Sequence, residues 1–298
     1  MTTNISMTAL RASSGLILDQ VRLARGPLDF LDALIVMAVT QANVDPITRD
    51  PELNARFATY DRPPPEQLRR PISVNAVAQS LGAPFETVRR RVSRLSRVGV
   101  YRVSPAGVIV PGWVVRIATH RAALQAGYGR TRALYFHLQA LGALPPMPDA
   151  APWGDAPPLR AVARLGADYL LRLIMTAGAE LGDLTDAAIW LETLRSSHEH
   201  LPDEAGCDPA QSRPVRVTAL ARRIGMPFET VRRRMADLTA RGLCDATADG
   251  VILGPEATSG PVLERISEGN HRDLSRMFAA LAHLGVVAAW RADPALAA

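Results

Sequence analysis

One motif occurs twice in this chain: GAPFETVRRRV spans Gly82–Val92, and GMPFETVRRRM spans Gly225–Met235. Extending the alignment outward at a constant offset of 143 residues matches Arg70–Gly112 with Arg213–Pro255, and 19 of these 43 positions are identical. We call these two segments the first repeat and the second repeat. Because self-similarity at a fixed offset is typical of a duplicated structural unit, the sequence predicts two copies of one domain.

The chain is long enough to hold two such domains. Of its 298 residues, 48% are hydrophobic and 21% are charged, which is typical of proteins with packed cores. The segment Leu144–Pro158 has six prolines in fifteen residues, which disfavours helices and central strands. We therefore expect one unit over 1–145 and another over 146–298. An apolar helical stretch at Leu28–Ala42 has a looser counterpart at Tyr169–Glu180.

Local signals in the second repeat predict a strand, a helix, a tight turn and a second helix. The β-prone run Val215–Val217 leads into Thr218, a residue type favoured as a helix N-cap. Gly225 permits the positive φ of a tight turn, and Pro227 suits the first turn of the next helix. Gly242 is expected to follow the end of that helix, as glycine commonly does.

Two β-prone segments then predict a hairpin. They are Leu243–Ala246 and Gly250–Leu253 in the second repeat. The first repeat predicts the same order, with Asn75 as the N-cap, Gly82 at the turn, and strands at Val100–Val103 and Val108–Val110. The expected fold class is mainly α with small β-hairpin wings, as two tandem winged helix-turn-helix domains flanked by packing helices.

The helix-turn-helix segments resemble those of Lrp/AsnC, IclR and MarR-type bacterial regulators. The likeness is carried by VNAVAQSLGAPFETVRRRVSRLSRVGV (Val74–Val100) and by VTALARRIGMPFETVRRRMADLTARGL (Val217–Leu243). The resemblance covers about 43 residues of each half. It implies that the second helix of each repeat binds DNA. It implies nothing about an effector, because the sequence gives no sign of the small effector domain that usually follows in Lrp or IclR proteins.

The second helix of each repeat is predicted to face DNA with its N-terminal residues. Apolar residues at i, i+4 and i+7 bury one face, so that Arg89 and Arg90 lie off that face. The predicted DNA-contacting residues are Phe85, Glu86, Thr87, Arg89, Arg90 and Arg94 in the first repeat, and Phe228, Glu229, Thr230, Arg232, Arg233, Arg222 and Arg223 in the second.

Each residue type suits one kind of contact with DNA. Arginine can bind guanine O6 and N7, Glu86 can accept a hydrogen bond from cytosine, and Phe85 can contact a thymine methyl group. Thr87 and Thr230 suit phosphate contacts. Two readings without DNA stay open: Glu86 stabilises the helix dipole, and Phe85 packs against the first helix. Arg91 and Arg234 are expected near the buried edge of their helices.

Positive charge is concentrated in the repeats. The first repeat has seven arginines and one glutamate, a net charge of +6, and the second has eight arginines and four acidic residues, a net charge of +4. Since the whole chain carries +5, the remaining residues carry −5. All the basic residues are arginine, which a GC-rich genome alone would favour. Genome composition does not concentrate net charge in two segments, whereas binding phosphates requires such a concentration.

Other site types find little support in the sequence. Two distant cysteines, Cys207 and Cys244, predict no disulfide framework, and no apolar run approaches the roughly 18 residues of a membrane span. Because no nucleophile motif or phosphate-binding loop occurs, we expect no enzyme activity and no cofactor. The lack of a long apolar run likewise leads us to expect no membrane association. The stretch HEHLPDEAGC (198–207) leaves a metal site as an alternative to a solvated loop, and we expect no metal. The expected location is the cytoplasm, on the nucleoid.

The favoured function is a sequence-specific transcription regulator that binds double-stranded DNA. Its two like recognition helices would bind two half-sites in adjacent major grooves, about 34–36 Å apart. RNA polymerase and a second copy of the chain are the further partners expected of such a regulator. Two alternatives remain: a plasmid or phage replication initiator, and a tandem winged-helix protein-interaction factor of the chromosome-segregation type.

Overall fold

The structure, a computed structural model, describes residues 5–26, 28–114, 118–154, 156–205 and 207–293. Its α-helices are α1 (Ile5–Arg25), α2 (Phe30–Arg49), α3 (Pro51–Arg56), α4 (Val74–Ser80), α5 (Phe85–Arg97), α6 (Ala118–Ala140), α7 (Leu159–Leu181), α8 (Leu184–His198), α9 (Val217–Ile224), α10 (Phe228–Ala240), α11 (Pro255–Ser259), α12 (Pro261–His283) and α13 (Val286–Ala292). The strands are β1 (Arg102–Ser104), β2 (Gly107–Ile109), β3 (Cys244–Thr247) and β4 (Gly250–Leu253). The described chain is thus mainly helical with two small antiparallel sheets of two strands each, as expected.

Both repeats build the same sequence of elements, two helices followed by a hairpin. In the first repeat α5 buries Val88, Val92 and Leu95, each at most 2% exposed. In the second, α10 buries Val231, Met235 and Leu238 at the same positions. The predicted i, i+4, i+7 stripe is confirmed in both helices. It sets the rotation of each helix and thereby decides which residues face outward.

The predicted N-caps of the first helices are wrong. Helix α4 is capped by Ser73, whose hydroxyl accepts a hydrogen bond from the Ala76 N–H at 3.1 Å, and Asn75 lies inside the helix. Helix α9 follows Arg216 without a side-chain cap, so that Thr218 is also internal. A side chain caps a helix only where its oxygen reaches the second or third free N–H, and Ser73 is the residue that meets this condition.

A close backbone approach explains why both hairpins keep a glycine at their turn. Gly107 has φ +128° and Gly250 has φ +149°. A Cβ atom on Gly107 would lie 2.6 Å from the Ile72 carbonyl oxygen, and one on Gly250 would lie 2.5 Å from that of Val215. Ile72 and Val215 each form a single bridge to their hairpin, so the β-run predicted at 215–217 is reduced to one paired residue.

Helices α2 and α8 occupy equivalent places before the two repeats. The Arg70 N–H donates to the Asn43 carbonyl in the C-terminal half of α2, and the Arg213 N–H donates to the Ser197 carbonyl near the end of α8, both at 2.9 Å. The offset between these acceptors is 154 residues rather than 143. The predicted counterpart of α2 at 169–180 is therefore wrong, since that stretch belongs to α7. The longer connection in the first half, which contains α3, shifts the alignment.

The chain forms two compact units, each with one complete repeat. The second-repeat unit consists of Met1–Ala33, Phe136–Ala143 and Arg172–Asp273, and the first-repeat unit of Leu34–Tyr135, Leu144–Leu171 and Leu274–Ala298. These units do not coincide with the expected halves 1–145 and 146–298, because each includes segments from both halves.

Each unit includes helical residues from the opposite half of the chain: α1 in the second-repeat unit, and the start of α7 in the first-repeat unit. In the second-repeat unit, α1 packs against α8. Arg11 of α1 is 8% exposed, and its guanidinium donates to the His198 and Leu201 carbonyls at 3.0 and 3.1 Å. In the first-repeat unit, Arg164 of α7 donates to the Phe57 carbonyl at 3.0 Å and to the Asn54 carbonyl at 3.1 Å.

Helix α2 is long and apolar enough to cross a membrane by length and composition alone, although no uninterrupted apolar run in the sequence approaches 18 residues. Of its most apolar 18-residue window, 61% is buried within the protein. Its Asn43 side chain is 1% exposed and bonds to the first repeat. These features are those of a core helix in a globular protein.

Candidate nucleic-acid interface

The outward face of α5 carries most of the residues predicted to contact DNA in the first repeat. Glu86, Arg89, Arg90 and Arg94 are exposed, and Thr87 is partly buried. Phe85, the first residue of α5, has 48% of its surface exposed. Phe85 is therefore not a core residue, and a large aromatic ring remains available at the N-terminal end of the helix beside the arginines.

Helix α10 presents the same face in the second repeat. Glu229, Arg232 and Arg233 are exposed, Thr230 is partly buried, and Phe228 has 43% of its surface exposed. An aromatic residue is exposed at this position in both repeats. Folding alone would favour burial of the ring, because burial would stabilise each domain.

A glutamate and an arginine form the same ion pair on both faces. The Arg89 Nε donates to Glu86 Oε2 at 2.8 Å and its Nη2 donates to Oε1 at 2.7 Å. In the second repeat, Nε and Nη2 of Arg232 each lie 2.9 Å from Glu229 Oε2. The hydrogen bond from Arg89 lowers the pKa of Glu86, and Glu86 in turn raises the pKa of Arg89. Exposed pairs of this kind contribute little to stability.

The two adjacent arginines of α9 point to different surroundings. Arg222 is exposed, as a phosphate-contacting residue would be. The Arg223 guanidinium instead lies against α8, where Nη1 donates to Ser196 Oγ at 2.6 Å and to Glu199 Oε2 at 3.0 Å, and lies 3.5 Å from Glu192 Oε1. The sequence predicted both as DNA contacts, but carboxylates of this chain already bind Arg223.

Two further arginines of the second repeat bind the N-terminal end of α8. Arg234 Nη2 donates to Asp183 Oδ2 at 2.5 Å, and Arg241 Nη1 lies 3.4 Å from Asp186 Oδ2. The expectation that Arg234 lies at the buried edge of its helix is confirmed. Burial raises the pKa of Asp186, whose side chain is 4% exposed, and the neighbouring Asp183 carboxylate raises it further.

The sequence signal for this acidic end of α8 is a short motif that recurs at a different offset from the 143 residues that relate the two repeats. DFLDALI (Asp29–Ile35) and DLTDAAI (Asp183–Ile189) share four of seven residues at an offset of 154. The first aspartate of each motif accepts a backbone hydrogen bond at the start of its helix: Asp29 from the Asp32 N–H at 2.8 Å, and Asp183 from the Thr185 N–H at 2.8 Å.

Asn43 of α2 binds the first repeat. Its Nδ2 donates to the Arg70 carbonyl at 2.8 Å and to the Val108 carbonyl at 3.1 Å, and its Oδ1 accepts from the Val110 N–H at 2.9 Å. Sequence reasoning missed this role because an asparagine within an apolar helix gives no indication of its partners.

The His–Cys stretch after α8 has packing and hydrogen-bonding roles. Nε2 of His198 lies 2.9 Å from Ser212 Oγ, and its Nδ1 lies 3.0 Å from the Leu194 carbonyl. Cys207 is buried with its Sγ 3.2 Å from Met7 Sδ, and burial raises the pKa of the thiol to about 12. Within the described part of the chain, no three His, Cys, Asp or Glu side chains are placed to hold a metal ion.

Comparisons with family models, with curated proteins and with solved structures gave no match to this chain. The resemblance of the two repeats to bacterial regulators therefore remains a prediction from their own residues.

Proposed function

We propose that the chain is a sequence-specific DNA-binding transcription regulator, in which each repeat is a winged helix-turn-helix domain. The observation that carries the proposal is the recurrence, on α5 and α10, of one exposed face with the same phenylalanine, glutamate and two arginines. In helix-turn-helix domains the second helix enters the major groove with its N-terminal residues at the bases. These four side chains occupy the N-terminal part of each helix.

The elements around this helix suit the same role. The order of two helices with a glycine turn and then a hairpin, in α4–β2 and again in α9–β4, is that of a winged helix-turn-helix. Gly82 and Gly225 at the turns have φ +58° and +76°, which permits the sharp reversal between the two helices. The net charges of +6 and +4 on the repeats favour a polyanionic partner.

The proposal assigns the exposed arginines and phenylalanines to particular contacts with DNA. Arg89 and Arg232 bind base edges, and Arg90, Arg233, Arg94 and Arg222 bind phosphates or neighbouring bases. Phe85 and Phe228 contact thymine methyl groups. Because the two helices carry the same residues, both repeats should prefer the same half-site. Cytoplasmic location on the nucleoid, contact with RNA polymerase and association with a second copy belong to the same proposal.

The test is the affinity of the purified full-length chain for its preferred duplex, found by selection from random duplexes, and for an unrelated duplex of equal length. We expect Arg89→Ala and Arg232→Ala each to weaken specific binding by about tenfold and to weaken binding to unrelated DNA much less. The matched control is Arg49→Ala, which removes an exposed arginine that lies outside both repeats. Equal losses on every duplex would leave only phosphate contacts and would exclude base recognition by these residues.

A further inference from the structure

We infer that Glu86 and Glu229 are positioning residues, which hold Arg89 and Arg232 so that each arginine binds a guanine through the two terminal nitrogens of its guanidinium. The inference rests on the proposed DNA-binding function and adds that the arginines contact the bases whereas the glutamates hold the arginines in position. It replaces the expected contact between Glu86 and cytosine.

In both repeats, the glutamate occupies the edge of the guanidinium formed by Nε and Nη2. An arginine has five N–H donors on Nε, Nη1 and Nη2. In the first repeat, Glu86 engages Nε and Nη2 of Arg89 at 2.8 and 2.7 Å. In the second repeat, Glu229 engages Nε and Nη2 of Arg232, both at 2.9 Å. The same edge is used in both repeats, although each unit folds around its own helix.

The hydrogen-bond donors at the end of each guanidinium remain available for DNA. With Nε and one hydrogen of Nη2 bound to the glutamate, the end of the guanidinium still presents one N–H from Nη1 and one from Nη2 as parallel donors. Guanine offers two acceptors, O6 and N7, at its major-groove edge, and a two-donor fork fits both. A glutamate paired in this way therefore does not block guanine binding, and it selects the end-on geometry.

The glutamate partner matters because Arg89 and Arg232 are exposed side chains that no other described residue of their repeat is shown to hold in place. A free arginine side chain loses rotamer freedom when it binds a base, which reduces affinity. A carboxylate three residues earlier on the same helix restricts the guanidinium before DNA arrives. The glutamate also repels phosphates, so its presence disfavours the sequence-independent contacts that an unpaired arginine would make.

Glu86 and Glu229 are thus expected to raise discrimination between sequences rather than overall affinity. The relevant quantity is the ratio of the affinity for the preferred duplex to the affinity for a duplex in which its guanines are replaced. Replacing both glutamates with alanine should lower this ratio about tenfold. Binding to unrelated DNA should stay equal or become tighter, because two negative charges are lost from the interface.

The experiment measures that affinity ratio for the full-length chain and the Glu86→Ala/Glu229→Ala double variant, and again with Arg89→Ala/Arg232→Ala added to both. On the arginine-substituted background, the glutamate substitutions should have no further effect, because a positioning residue acts through its arginine. Glu86→Gln/Glu229→Gln, which keeps an acceptor oxygen, should recover part of the ratio. Asp45→Asn is the control, since it removes an exposed carboxylate paired with Arg49 at 2.8 Å outside the repeats.

The outcomes separate this inference from the function on which it rests. If the unmodified chain discriminates between duplexes but the glutamate variants discriminate equally well, the positioning role is overturned and the proposed function stands. If the glutamate substitutions lower the affinity ratio further on the arginine-substituted background, the glutamates contact bases directly and the inference is again overturned. If the unmodified chain prefers no duplex, both the proposed function and the inference fail.

Discussion

Adjacent arginines on one short helix have different surroundings because the surface beside only one of them is acidic. Arg222 of α9 is exposed, whereas Arg223 lies against Ser196 and Glu199 of α8 with Glu192 close by. The Glu192 side chain is 2% exposed, and its carboxylate accepts a hydrogen bond from Ser196 Oγ at 2.8 Å and lies 3.5 Å from Arg223 Nη1. Residue type alone therefore does not identify a DNA contact in this arginine-rich chain.

This difference predicts opposite effects of one substitution at two neighbouring positions. Arg223→Ala should lower the free energy of unfolding by about 1 kcal/mol, because buried Glu192 loses its ion pair with Arg223 and keeps only the hydrogen bond from Ser196 Oγ, and it should barely change DNA affinity. Arg222→Ala should leave stability unchanged but reduce the slope of log affinity against log salt by about 1. Urea unfolding and binding at several salt concentrations measure the two quantities. The reverse pattern would show that Arg223 leaves α8 to bind DNA.

At the scale of elements, the helix before each repeat holds that repeat in place, but by different chemistry. Helix α8 uses carboxylates that bind Arg223, Arg234 and Arg241 of the second repeat. Helix α2 uses the amide of Asn43, which bonds to the backbone of the first repeat. A neutral amide satisfies both N–H and C=O groups, and so suits a site that is 1% exposed.

Asn43→Ala should therefore destabilise the first repeat by about 2–4 kcal/mol, because it removes three hydrogen bonds and leaves backbone groups buried without partners. Thr48→Ala, on the same helix, is the control, since its hydroxyl bonds only to the Val44 carbonyl within α2, at 3.1 Å. Chemical unfolding of both variants gives the comparison. Equal stabilities would mean that water replaces the amide and that Asn43 is not a structural residue.

The sequence predicted the elements of the repeats well, because local periodicity and glycine turns determine them. Helices α5 and α10, their buried stripes and their exposed faces were all expected from residues within one short segment. It predicted poorly what depends on partners distant in sequence. The Ser73 cap, the Asn43 contacts and the carboxylates around Arg223 depend on which backbone or helix lies nearby, and no local pattern encodes that.

At the scale of the whole molecule, the two halves of the chain exchange helices. The second-repeat unit includes α1 from the first half, and the first-repeat unit includes the start of α7 from the second half. Buried arginines make these contacts: Arg11 and Arg164 are 8% and 7% exposed, and both donate to backbone carbonyls at helix ends. Neither half thus contains every element of a compact unit.

A chain cut at the proline-rich connection tests this exchange. We expect fragments 1–145 and 146–298 to be unfolded or self-associated when produced alone, because each lacks the helix that satisfies carbonyls of its repeat unit. Produced together, they should form a 1:1 complex with a single cooperative unfolding transition. Size-exclusion chromatography with light scattering and thermal unfolding measure both. A monomeric, cooperatively folded single fragment would contradict the exchange.

The proposed function requires that two like helices of one chain recognise DNA sequence to regulate transcription. The most direct test is to crosslink the protein to DNA in its native cell, immunoprecipitate it and sequence the bound fragments. We expect sharp peaks at promoters that share a two-part motif, with guanines in both half-sites and about one helical turn between their centres. Peaks confined to a replication origin, or no enrichment anywhere, would contradict it.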